Sequence, residues 1–134
     1  MLVDTGFLIA IIDCGDQLHS RAQSWLEFLD RPLVLTEYVW LETLNFFSAT
    51  PLRDQSHQLI DRLTSSADCE FVSVQESLRR QGLQLHRERL DKHWSLTDCI
   101  SFVVMRQRAV VRALAYDHHF EQAGFDALLR RDPP

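Results

Sequence analysis

Apolar residues along this chain come in short blocks closed by acids, glycine or proline, and the blocks are of two lengths. The first, Leu2-Val3, is too short for a helix and ends on Asp4, so it reads as a buried strand with a carboxylate at its end. Phe7 to Ile12 is apolar and broken by Asp13-Cys14-Gly15-Asp16, the pattern of a short buried helix capped by the oxygens of Asp4 and Thr5. Asp16 then caps a second helix, about His19 to Leu29, with Ala22, Trp25, Leu26 and Leu29 on one stripe. Leu33-Val34-Leu35 is a second strand, and Thr36 caps the next helix. From about Glu37 to Ala49 the pattern is helical and apolar almost all round, so this helix is expected to be buried or covered by a partner. Glu42 interrupts it, with Tyr38 and Asn45 one turn away on the same stripe.

A polar amphipathic helix carrying Leu59, Ile60 and Leu63 comes after Thr50-Pro51. Cys69 to Val74 reads as a third strand, and Gln75 to about Leu90 as a helix with Leu78, Leu85 and Leu90 inward and Arg79, Arg80, Arg87 and Arg89 outward. Ser95-Leu96-Thr97-Asp98 has the form of a capping box ahead of the apolar helix Cys99 to Met105. Val110 to Ala115 is a fourth strand ending at Tyr116-Asp117, His118 to Ala123 a helical turn, and Gly124 to Leu129 a last edge strand. Strands alternating with helices predict an α/β fold with a parallel sheet covered on both faces.

Composition narrows the class. At 134 residues, 46% hydrophobic and 25% charged, the chain reads as one domain, residues 1–134, able to bury roughly two-thirds of its unfolded surface. Cys14, Cys69 and Cys99 are odd in number and match no disulfide or zinc framework, which points to reduced thiols and a cytoplasmic location. No stretch is apolar for long enough to span a membrane, and a first strand beginning at residue 2 leads us to expect no signal peptide. The net charge of −5 is unevenly spread. Residues 1–78 carry four Arg/Lys against twelve Asp/Glu, a balance of −8, and residues 79–134 carry ten against seven, a balance of +3. The second half is therefore the one suited to face phosphate.

Four acids share an unusual context. Asp4 and Asp117 end apolar strands, Asp98 opens an apolar helix, and Glu42 sits inside one. Each alone is explained as a cap or as a partner to a neighbouring amide. If the strands are parallel and adjacent, however, Asp4, Asp98 and Asp117 converge on one sheet edge with Glu42 in reach. Two carboxylates about 4 Å apart repel by roughly 4 kcal/mol at the effective dielectric of a partly buried site, so four together require a cation. Oxygen ligands select Mg²⁺ or Mn²⁺ over zinc. Such a site suits metal-assisted phosphodiester hydrolysis, in which the cation acidifies a water, orients the phosphate and stabilises the leaving oxygen.

The Asp4-Thr5 strand end, Glu42 in an apolar helix, Thr97-Asp98 opening a helix and Tyr116-Asp117-His118-His119-Phe120 after a strand resemble the PIN-domain nucleases, most closely the VapC-type toxins of bacterial toxin-antitoxin pairs. The resemblance covers essentially the whole chain, and the order and spacing of the motifs carry it. It implies a three-layer α/β/α sandwich around a mostly parallel sheet and a Mg²⁺- or Mn²⁺-dependent endoribonuclease. It further implies a homodimer, an RNA substrate and a cognate antitoxin that covers the active site. Asp4, Glu42, Asp98 and Asp117 match the family's acidic quartet of catalytic and metal-binding residues. Gly6 stands where relatives often place Ser or Asn, and Ala115 where many have Thr, so two polar groups around the site are missing.

Thr5 and Thr97 are candidates to hydrogen-bond a carboxylate or a water of the site, with capping as the plain alternative. His93, His118 and His119 are candidates for phosphate contact, and Arg79, Arg80, Arg87, Arg89 and Lys92 for steering RNA, against a solvated face linked to Glu88 and Asp91. Trp40, Phe46, Phe47 and Leu52 exceed what a thin flank buries and suggest a partner helix. Asp4-Thr5-Gly6 also spells the loop of aspartic proteases, but a helical pattern comes directly after it, and a receiver domain lacks its acidic pair here. The rival from another class is a non-catalytic PIN-like module that binds a protein or RNA and uses the acids as caps.

Overall fold

A computed structural model describes all 134 residues. Five strands form its centre: β1 (Leu2–Val3), β2 (Leu33–Thr36), β3 (Cys69–Val72), β4 (Arg112–Leu114) and β5 (Asp126–Ala127). They lie in the order β3-β2-β1-β4-β5 and every neighbouring pair is parallel. Seven helices connect and cover them: α1 (Thr5–Ile12), α2 (His19–Trp25), α3 (Glu37–Phe46), α4 (Arg53–Ser65), α5 (Glu76–Glu88), α6 (Leu96–Gln107) and α7 (His118–Gln122).

Side chains alternate across a strand, and here the alternation divides the apolar residues into two cores. Leu2, Val34, Val72 and Ala113 pack with Leu78 of α5, Cys99 to Met105 of α6 and Phe120 of α7. Val3, Leu33, Leu35 and Leu114 pack on the other face with α1, Ala22 and Trp25 of α2, and Ile60 of α4. The result is the three-layer α/β/α arrangement expected for this sequence. The chain builds β1, β2 and β3 outward on one side, then returns to pair β4 with the free edge of β1. That reversal opens a crevice beyond the carboxyl ends of β1 and β4, the place where open α/β sheets bind ligands.

Several elements are shorter than the apolar pattern suggested. α2 stops at Trp25 and tightens into a 3-10 turn over Leu26–Phe28, which rotates Leu26 off the buried stripe and leaves it 46% exposed. α3 ends at Phe46, where Ser48 N and Thr50 N close onto the Asn45 and Phe47 carbonyls; Phe47 turns inward while Phe46 stays exposed. β3 ends at Val72, β4 keeps only three residues, and β5 gives way to a 3-10 turn over Leu128–Arg130. Leu90, expected inward, is 89% exposed because α5 ends two residues before it.

The close approach of α5 to α6 has a sequence cause in Gly82 of α5. A Cβ there would overlap the Ile100 Cγ1 of α6. A helical Gly→Ala change normally gains up to about 1 kcal/mol from propensity, but overpacking of this kind costs about 1–3 kcal/mol. Gly82→Ala is expected to lower stability in urea denaturation, and to cost less in an Ile100→Ala background than in wild type. Equal or higher stability of Gly82→Ala would show that α5 and α6 separate freely.

Candidate active site

Asp4 is delivered to the crevice by the shortest route available. Leu2 and Val3 are fully buried, and the Asp4 N–H donates to the Leu114 carbonyl at 3.3 Å, so the residue after β1 is tied to the end of β4. The Asp4 backbone carbonyl accepts from Phe7 N and Leu8 N and starts α1. Its carboxylate, at the N-cap position, makes no side-chain cap bond. The expectation that the Asp4 and Thr5 oxygens cap α1 is thus corrected: Thr5 Oγ1 is buried with no hydrogen-bond partner at all.

Asp98 comes from α6. Ser95 Oγ accepts from Asp98 N and Asp98 Oδ2 accepts from Ser95 N, both at 3.0 Å, the reciprocal capping box expected from Ser95-Leu96-Thr97-Asp98. Glu42 comes from α3, and its expected burial is corrected. Glu42 is exposed, because α3 leaves one side uncovered that also carries Leu41 and Phe46. Thr97 Oγ1 donates to Glu42 Oε2 at 2.9 Å, linking the first turn of α6 to α3. Asp117 comes after β4 as the N-cap of α7, with Oδ1 accepting from His119 N at 3.0 Å.

These four carboxylates line one open cavity of about 760 Å³, together with Thr5, Gly6 and His93. Thr97 stands behind Glu42 rather than in the wall. Burial, reinforced by the Asp98 charge and then by Glu42, pushes the Asp4 carboxyl up to about 7, against the pull of the Thr5 and Gly6 backbone N–H groups. Burial likewise raises Asp98, although Ser95 N and His119 oppose the shift.

From the sequence His119 is one of three peripheral histidines, and the fold gives it a specific place. Its Nδ1 lies 3.0 Å from Asp98 Oδ2 and 3.3 Å from Asp117 Oδ2, so one imidazole bridges two of the acids; its side chain is only 15% exposed. His118 Nδ1 lies 3.2 Å from Asp117 Oδ1. The ligand atoms that gather within 4.8 Å of one another belong to Asp117, His118 and His119, not to the four carboxylates as a set. The contiguous Asp117-His118-His119 is visible as a motif; the contact of His119 with Asp98, 21 residues away, is not. Tyr116, the first residue of the Tyr116-to-Phe120 motif, also lines the cavity, as does Arg130, which no local signal in the sequence marks.

The cationic helix face expected to steer RNA is largely engaged elsewhere. Arg80 pairs with Glu76 at 2.6 Å, and Arg89 pairs with Asp91 at 2.9 Å while lying over the Trp94 ring. None of these groups reaches the cavity wall. The two polar absences are accommodated differently. Ala115 is fully buried within the apolar core under α6 and α7, whereas a Cβ at Gly6 would make an ordinary 3.8 Å contact with Asp4 Oδ2.

The wall fits a divalent cation. It offers carboxylate oxygens, a buried hydroxyl with no partner in Thr5, and an acid, Asp4, that its neighbours hold toward neutrality.

The chain is 31% identical over 133 residues to the 23S rRNA-specific endonuclease VapC20 of Mycobacterium tuberculosis, covering 93% of this chain and 95% of that protein. Its fold superposes on the crystal structure of VapC20, described as a sarcin-ricin loop cleaving toxin, with a TM-score of 0.84 at 23% identity, covering 92% of this chain and 95% of that one. FitAcB from Neisseria gonorrhoeae shares the fold more distantly, with a TM-score of 0.66 at 16% identity and 94% coverage of each chain. Residues 1–126 match the PIN domain, and with a relative this similar over nearly its whole length the chain belongs to the PIN domain family.

Proposed function

We propose that this protein is a Mg²⁺- or Mn²⁺-dependent endoribonuclease, the toxin of a toxin-antitoxin pair, with ribosomal RNA as its substrate. The observation that carries the reading is the convergence of Asp4, Glu42, Asp98 and Asp117, from four separate parts of the chain, on one cavity at the switch point of a PIN fold. The similarity to an rRNA-specific endonuclease over 93% of the chain supports the substrate class. A cognate antitoxin and a second copy of the chain are the partners this reading carries with it.

Asp4 and Asp98 are the residues we assign to hold the cation, with Glu42 and Asp117 completing the set. When bound, the cation supplies charge neutralisation and Lewis acidity at the phosphate. The chain does the positioning. Thr97 Oγ1 fixes the Glu42 carboxylate toward the cavity, and His119 Nδ1 holds Asp98 and Asp117 at a set separation. The unpartnered, buried Thr5 hydroxyl is left to bond a carboxylate or a water of the site.

The raised Asp4 group makes the metal-free protein sensitive to pH. Its folded value of about 7 lies above the ordinary 3.8. The resulting stability is therefore complete below about pH 4, declines as the unfolded chain loses its proton first, and is gone above about pH 7. In chelator, the stability of wild type relative to Asp4→Asn is expected to fall by up to about 4 kcal/mol between pH 4 and 7. Millimolar Mn²⁺ is expected to reverse the fall in wild type and not in Asp4→Asn. Parallel curves for the two proteins would mean that Asp4 carries no uncompensated charge.

Activity is tested by incubating purified protein with ribosomal RNA fragments in Mg²⁺, in Mn²⁺ and in chelator, beside Asp98→Asn. Wild type is expected to cut with either metal, and chelator or Asp98→Asn to reduce the rate by at least about 100-fold. Cutting that survives both treatments would refute the metal-dependent mechanism. Intact RNA under every condition would favour the non-catalytic module.

A further inference from the structure

Two exposed aromatic rings stand in the wall of the acidic cavity. Tyr116 is 47% exposed and Phe46 is 55% exposed. Both are held rather than loose. The Phe46 ring meets the buried Phe47 ring edge to face, with centroids 5.0 Å apart. The Tyr116 ring has the Arg130 guanidinium carbon 5.5 Å from its centroid, and Arg130 also donates through Nη1 to the Tyr116 carbonyl at 3.2 Å. Arg130 Nε lies 3.1 Å from Glu121 Oε2, so the guanidinium is braced on two sides and keeps its Nη2 donors free. It is the single arginine among the cavity's lining residues, which include no lysine.

A hydrolytic cavity walled by carboxylates repels a polyanion, and a cation bound among them answers that only at the scissile phosphate. The rim must contribute affinity of another kind. Held aromatic faces beside one braced arginine match a chain that presents a π-face and a phosphate at every step. They match it only where the bases are unstacked, since an A-form duplex keeps its base faces inside the helix. An apolar peptide would be served by the rings but has no use for the arginine that shares the wall with them.

Resting on the ribonuclease reading above, we propose that Tyr116 and Phe46 are stacking platforms for unpaired nucleobases on either side of the cleaved bond. Arg130 stiffens the Tyr116 platform and contacts a neighbouring phosphate. Such platforms take only unpaired bases, and duplex RNA is excluded for want of exposed base faces. Tyr116, Phe46 and Arg130 are binding residues that set specificity, and the acids carry the chemistry.

The test measures binding of a labelled RNA hairpin loop and of its fully paired counterpart by anisotropy in chelator, followed by single-turnover cleavage in Mn²⁺. Tyr116→Ala and Phe46→Ala are each expected to weaken loop binding by about 5- to 150-fold, raising the half-saturating enzyme concentration with little change in the maximal single-turnover rate. Tyr116→Trp, which keeps a π-face, is expected to recover most of the loss, and melting temperatures identify any variant that fails to fold. Arg130→Ala is expected to reduce the logarithmic salt slope by about 0.7, the contribution of one phosphate contact on a single strand. The platform idea is overturned if the folded alanine variants bind and cut the loop as wild type does, or if wild type prefers the duplex. Failure of wild type to cut any RNA in either metal would instead remove the ribonuclease reading, and this inference with it.

Discussion

Leu2 and Val3 have no exposed surface, and each points into a different apolar core, so β1 cannot slip by one residue without exchanging the two faces of the sheet. β1 is also the only strand that joins the two halves of the molecule, with β2 on one side and β4 on the other. The position of Asp4 is a direct consequence. One residue beyond this locked pair, its N–H bonded to Leu114, it is fixed relative to the end of β4 and hence to Asp117. The remainder of the site is assembled around a carboxylate that has almost no freedom to move away from its neighbours.

That immobility gives the cavity its electrostatic character. A flexible acid escapes burial and repulsion by turning to solvent; Asp4, desolvated first and crowded by Asp98 and Glu42 second, holds its proton to about pH 7. The acids around it are stabilised by contacts that serve folding as well. Asp98 is half of a capping box, Asp117 caps α7, and Glu42 accepts from Thr97. Structural and chemical roles therefore coexist in the same side chains, and explaining Asp98 and Asp117 as caps does not compete with their presence in the site. His119 shows the same economy, since its backbone N–H is capped by Asp117 while its ring reaches Asp98.

The rim differs from the floor. Asp4, Asp98 and Asp117 sit at strand ends and helix starts, where the sheet fixes them, whereas Phe46 is the last residue of α3 and Tyr116 lies two residues beyond β4. Phe46 is exposed because α3 stops there and Phe47 takes the buried position next to it. Tyr116 is exposed because β4 stops at Leu114 and Ala115 fills the core position beneath α6 and α7. Variation at such sites alters what the cavity receives without disturbing how it is built.

The local pattern of residues was sufficient for the parallel α/β class, the order of its elements, the capping box at Ser95 and the four acids, because each of these depends on short-range periodicity or on a residue type out of place. It was insufficient wherever the outcome depended on competition between distant segments. Leu26 and Leu90 fit an inward stripe, yet their helices ended before reaching them. Glu42 looked like a buried charge because seven apolar neighbours surround it in sequence, and only the packing of α3 against one face of the molecule exposed its other side. The bridge from His119 to Asp98 and the stack of Arg130 on Tyr116 join residues 21 and 14 positions apart. Neither contact has a periodic signature. The first exists because α6 and α7 share one core, the second because β5 pairs with β4, and such packing is a property of the folded sheet and its covering helices, not of any local run of residues.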